Sequence, residues 1–221
     1  MAKIKKPRNK KYKAPRTETE EVSNFSYEIS FEPLMDQKFQ RLPKEVQDEL
    51  GELYELAQKE GKQAIPRLEE LKTEYPKLPL VYNYLAVAYG AVDSEKQQQI
   101  IIENYQQNPS YLFARCNYAQ LCLRANNLEG FAKVFDHKFD LKLLYPRRNR
   151  FHITEYVGFS AMVCEYFYKE GNIEQAQKLF ENLENVAADE PQTKRLKAML
   201  HPNSFQRVIK KLVLGLTEPK T

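Results

Sequence analysis

Residue types able to do chemistry are few in this chain, and they are scattered. Cys116 and Cys122 stand six apart, while Cys164, His137, His152 and His201 are dispersed, so no set has the ligand spacing of a zinc site. His152-Ile-Thr-Glu155 lacks the second histidine of a zinc-hydrolase helix. No glycine-rich phosphate loop and no serine in a nucleophile elbow is found. The acids are spread over helical faces instead of being paired as acid and base. The expectation is a protein with no catalytic step, no metal and no cofactor.

Cations offer the remaining chemistry. Residues 1–16 hold eight Lys or Arg and no acid, which leaves the rest of the chain at −4 against an overall charge of +4. A mildly acidic body thus carries a basic arm. Lys5, Lys6, Arg8, Lys10, Lys11 and Lys13 are its candidate contacts for RNA, DNA or an acidic protein. A solubilising tail is the competing reading, and the stretch also fits a nuclear-import signal. Arg147, Arg148 and Arg150 form a second cluster, suited to gripping phosphate or to serving as a solvated loop. Tyr12, Tyr27, Tyr105, Tyr111 and Tyr145 fall at helical spacing or beside prolines, which fits packing better than a stacking platform for RNA.

These residues must be positioned by helices. The 221 residues suit one domain or a short solenoid. There is no apolar run of the roughly 18 residues a membrane helix needs, and the basic start lacks the apolar stretch of a signal peptide. Three cysteines, an odd and sparse set, argue for reduced, buried thiols and a cytoplasmic setting.

Residues 1–24 show neither helical nor strand period and are expected to be a flexible arm. Residues 25–42 follow as an extended or capping segment, with alternation over Tyr27–Phe31. With no other strand evident as a partner, this segment is expected to pack on helices, either at an open end of the stack or in its groove. The same alternation also suits pairing with a partner protein. From Pro43 onward, apolar residues recur at steps of three and four. Leu50, Leu53 and Ala57 are followed, after Gly61, by Ala64, Leu68 and Leu71. Tyr82, Leu85, Ala86 and Tyr89 precede Ile101, Ile102 and Tyr105. Ala114, Asn117, Tyr118 and Leu121 precede Phe131, Val134, Phe135 and Phe139, on a helix that either stops there or continues to Leu144. Ser160, Val163, Cys164 and Phe167 lead through Gly171 to Ala176, Leu179, Phe180 and Leu183. Residues 191–221 are expected to form C-terminal capping helices, the last carried by Phe205, Val208, Ile209, Leu212 and Val213.

These hairpins resemble the tetratricopeptide repeat, a motif of about 34 residues. The likeness is clearest in GNIEQAQKLFENL (171–183), with Gly171 at the hairpin glycine, Ala176 at the small position of the second helix, and Phe180 and Leu183 after it. Cys164 falls at the small position of the first helix. Tyr82, Leu85, Ala86 and Tyr89 match the first-helix pattern, and Pro79 and Pro109 bracket that unit. The resemblance spans four units over residues 47–190, within a repeat region of 43–190. It implies an all-α fold: a right-handed superhelix of antiparallel helix pairs, with first helices lining a concave groove. In that register Asn83 and Val87, Arg115 and Ala119, and Glu165 and Tyr168 face inward and are the candidate groove residues. Ala91, Cys122 and Ala161 share those faces. Gly51 and Glu55 stand where a carboxylate clamp would need a basic residue and an asparagine, so that clamp is not reproduced. The implied function is a non-catalytic scaffold or assembly adaptor holding a protein segment, extended or helical, in a partly apolar, mixed-charge groove. The alternative is an RNA- or ribosome-associated protein using the basic arm and the arginine loop.

Overall fold

A computed structural model of the chain describes residues 11–13, 26–32 and 37–202. It is mostly helical, at 74% helix. In chain order the first elements are β1 (Lys11–Lys13), β2 (Ser26–Ser30), α1 (Gln37–Gln40), α2 (Lys44–Lys59), α3 (Gly61–Glu74) and α4 (Pro79–Gly90). Next come α5 (Ser94–Gln107), α6 (Leu112–Arg124), α7 (Leu128–Val134) and α8 (Leu141–Leu144). The remainder are β3 (Arg150–His152), α9 (Ile153–Glu170), α10 (Ile173–Ala187) and α11 (Pro191–Leu200). Two compact units result, Phe31–Lys138 and Met1–Ser30 with Phe139–Thr221.

In the Phe31–Lys138 unit each helix from α2 to α7 packs on the next, and α4 also touches α2 and α6. The boundaries follow from local chemistry. Pro79 occupies the first turn of α4, where its missing N–H costs nothing. Asp93 caps α5 by accepting from the N–H groups of Glu95 (3.1 Å) and Lys96 (3.0 Å). Leu50, Leu68, Leu71, Val81, Tyr82 and Leu85 are each at most 1% exposed, and burying each such side chain contributes about 1.5–3 kcal/mol. Tyr82 keeps its hydroxyl satisfied by donating to the Pro76 carbonyl at 2.8 Å.

Two later hairpins are built alike. Asn126 (φ 54°) and Gly171 (φ 88°) take the left-handed conformation after α6 and α9. The following asparagines then cap the return helices: Asn127 accepts from the Gly130 N–H at 2.8 Å, Asn172 from the Gln175 N–H at 3.2 Å. The return helix α7 stops at Val134 and does not continue to Leu144. Asp136 (φ 52°) and His137 (φ 56°) both turn left-handed, which a helix cannot accommodate.

The other unit contains a three-stranded sheet in the order β1-β2-β3. This corrects the expectation that Tyr27–Phe31 had no strand to pair with. β2 runs antiparallel to β1, with Tyr12 opposite Tyr27, and parallel to β3, with Ile29 opposite Phe151. It also places Lys11–Lys13, expected within a flexible arm, in a strand. Both partner strands are three residues long, too short to show alternation in sequence. Tyr27, Ile29 and Phe151 supply the buried face, and the Tyr27 and Phe151 rings meet edge-on at 5.1 Å. α9 is buried on most of its circumference, not on one stripe, because α10, α11, β2 and β3 all contact it. The expected final helix beyond Pro202 lies outside the described residues.

Glycine substitution separates tight from open positions. A Cβ at Gly61 would sit 2.4 Å from the Ala88 carbonyl oxygen, whereas one at Gly51 meets nothing within 4 Å. Gly61→Ala should therefore lower unfolding stability by about 2 kcal/mol or more, while Gly51→Ala should raise it by about 0.5–1 kcal/mol. Urea titration followed by circular dichroism reads both.

Candidate functional site

One face of the Phe31–Lys138 unit is open and almost free of charge. α4, PLVYNYLAVAYG, has no charged residue at all. Its buried side carries Val81, Tyr82, Leu85, Ala86 and Ala88. The opposite side presents Leu80, Tyr84, Val87 and Ala91, and Val87 is 43% exposed. On α2 the stripe Gln47, Gly51, Tyr54 and Gln58 lies on the α4 side, because the Tyr54 and Tyr84 rings meet at 5.1 Å. Tyr54 is itself 42% exposed. Burial pushes the Tyr84 hydroxyl up to about 12, so it stays a neutral donor at any physiological pH. On α6 the corresponding stripe is Phe113, Asn117, Gln120 and Arg124, of which Arg124 alone is charged. Over this unit these stripes are mainly aromatic, aliphatic and amide, with Arg124 at one end.

Amides tie α4 and α6 together through α5. Asn83 Oδ1 accepts from Asn104 Nδ2 at 3.0 Å and from Asn117 Nδ2 at 3.3 Å. Asn104 Oδ1 accepts from Asn108 Nδ2 at 3.1 Å, and Asn108 Oδ1 accepts from the Lys38 ammonium at 3.3 Å. An ammonium can only donate. Lys38 therefore fixes which end of Asn108 faces it, and each amide fixes the next as far as Asn117. Asn104 and Asn108 are 2% and 4% exposed, so these bonds are made where water cannot replace them. Sequence reading placed Asn83 on the open face but put Asn117 among packing residues.

The other groove candidates are distributed differently. Arg115 is 16% exposed and engaged at both ends of its fork. Nε donates to the Pro109 carbonyl at 2.7 Å, and Nη2 pairs with Asp136 at 3.4 Å. It clips the start of α6 to the left-handed turn after α7. Ala119 is fully buried. It stands seven residues before Asn126, as Cys164 stands seven before Gly171, and both are 0% exposed. Ala119 is thus the small packing residue of its hairpin, and the sequence-based register there is off by one. Ala161 and Cys122 are likewise buried. Glu165 pairs with Arg195 of α11 at 2.8 Å, and Tyr168 is half-buried on the same helix.

Comparison with models of known protein families and with curated proteins returned no match. The site is therefore read from its own geometry. Among the described residues no three His, Cys, Asp or Glu side chains gather as metal ligands. All three cysteines are buried free thiols, and burial pushes Cys164 up to about 12 while its Sγ–H donates to the Ala176 carbonyl at 3.2 Å.

The arginine loop is largely consumed by structure. Arg148 makes two parallel bonds to Glu155, Nη1 to Oε1 at 2.9 Å and Nη2 to Oε2 at 2.7 Å. Its guanidinium lies 4.3 Å from the Phe151 ring centroid. Glu155, 6% exposed, also accepts from the His152 N–H at 3.0 Å, so that His152 and Glu155 form the capping box of α9. His152-Ile-Thr-Glu155 is therefore a helix start. Arg150 pairs with Glu28 across the β2–β3 register at 3.4 Å. Lys142 Nζ donates to the carbonyls of Pro146 (2.7 Å) and Arg148 (3.0 Å) and to the Asn149 side chain. Arg147 is exposed. Lys5, Lys6, Arg8 and Lys10 lie outside the described residues, as do the side chains of Lys11 and Lys13.

Arg148→Ala should cost about 2–3 kcal/mol, because it strands a buried carboxylate, with the magnitude reduced by the arginine's partial exposure. Arg147→Ala should stay within about 0.5 kcal/mol. Equilibrium urea unfolding of the two variants beside the parent measures the contrast.

Proposed function

We propose that this protein is a non-catalytic adaptor that docks a protein segment on the face shared by α2, α4 and α6. The observation that supports this most is the charge-free helix α4, which leaves Val87 43% exposed in the middle of its open side. A helix interior to a water-soluble array ordinarily spends its outer face on charge. An apolar stripe flanked by aromatic side chains suits burial against a partner. The α4 and α6 part of the face is fixed through amides bonded to α5, so a partner would meet a preorganised surface there. The matching hairpins α6–α7 and α9–α10 support a tetratricopeptide-like repeat plan with first helices forming the recognition layer, and a cytoplasmic adaptor accords with three buried thiols.

Substituting the exposed centre tests this without touching the core. Val87→Glu should leave the melting temperature within about 2 °C of the parent. In quantitative pull-downs from the native host it should abolish the retention of at least one protein that binds the parent chain. If every retained protein is held equally by the parent and by Val87→Glu, the face is not the docking surface.

A further inference from the structure

Among the described residues the amide network has two ends without a partner. Both bonds recorded at Asn83 are received by Oδ1, which leaves both hydrogens of its Nδ2 group unspent. Asn117 uses Nδ2 to reach Asn83, which leaves its Oδ1 unspent. No atom of Asn83 or Asn117 is among the fully buried, unsatisfied side-chain atoms of the described residues. Both residues are half-buried, so neither amide is sealed from solvent. Their roles cannot interchange. Flipping Asn83 would point an N–H₂ at two other N–H₂ groups, and the relay from Lys38 forbids the compensating flips. Asn83 therefore keeps an Nδ2 donor, and Asn117 an Oδ1 acceptor, that no described residue uses.

We infer that Asn83 and Asn117 read the backbone of an extended, uncharged peptide segment, the donor taking a peptide carbonyl and the acceptor a peptide N–H. This rests on the docking reading above and narrows it. In an extended strand one residue points its own N–H and C=O to the same side, ready for a paired donor and acceptor. In a helix those groups are already spent on internal bonds, leaving nothing for the pair to bind. Side-chain recognition falls to what flanks the amides. Tyr54, Tyr84, Leu80 and Val87 offer aromatic and aliphatic contact, and the lack of charge on α4 leaves a charged residue above it without a partner. An extended segment with alternating aromatic or aliphatic residues satisfies both requirements.

The probe is an array of random short peptides, screened with the full-length chain and with Val87→Glu. The uncharged peptide bound most tightly by the parent, and lost by Val87→Glu, is then resynthesised with single backbone N-methylations. Asn83→Asp is the informative variant, because it keeps an oxygen that accepts from Asn104 and Asn117 and replaces the leftover donor with a negatively charged acceptor. The expected result is a loss of about tenfold in affinity for Asn83→Asp at an unchanged melting temperature, together with one N-methylation that weakens parent binding by about tenfold. Equal binding by Asn83→Asp and a flat N-methyl scan would overturn backbone reading and leave the docking face standing. Should no peptide bind, or should every bound peptide ignore Val87→Glu, the docking reading falls and this inference with it. Self-association in sedimentation that Val87→Glu removes would place a second copy on the face and also overturn it.

Discussion

An ammonium group that can only donate sets the direction of four amides. Lys38 faces Asn108, Asn108 faces Asn104, and Asn104 meets Asn117 at a single oxygen of Asn83. Helices α4, α5 and α6 are joined through that oxygen. Apolar packing brings these helices together but says little about which way they slide or rotate. Directional bonds between buried amides do, because a misplaced register would leave buried polar atoms unsatisfied, at about 1–3 kcal/mol each. The same constraint decides which amide atoms of α4 and α6 are left over, so the proposed docking face inherits its polarity from the core.

A second constraint acts in the Met1–Ser30 and Phe139–Thr221 unit. Arg148 and Glu155 join the loop before β3 to the first turn of α9, and the Phe151 ring covers the guanidinium from one side. The capping box at His152 and Glu155 uses the same carboxylate. One acid therefore satisfies a helix start, an arginine and, through β3, the edge of a sheet. A cluster of three arginines that reads as an anion grip is mostly a way of holding this junction together.

Helix starts, turns and most packing stripes were legible because they depend on neighbours three or four residues away. Pro79, Asp93, Asn127, Gly171 and Asn172 act within one turn of themselves, and their chemistry is the same in any fold. Register was readable only where a glycine marked the turn. At Asn126 an asparagine takes the left-handed role that Gly171 plays in its own hairpin, and the helix before it was read one residue out of step, which turned buried Ala119 into a groove residue. The sheet was invisible for a different reason, since β1 and β3 are each three residues long and find β2 only through distant pairing.

By itself the amino-acid sequence determined that this is a mostly helical protein and that α4 is uncharged. Only the tertiary structure decided that Asn83 gives its oxygen to Asn104 and Asn117, that Tyr54 meets Tyr84, and that Arg115 and Arg148 are spent on carboxylates. Each of those is a contact between residues on separate elements or turns. Which of two amide atoms, or which end of a guanidinium, remains available is set by the partner across the gap, and local periodicity carries no information about that partner.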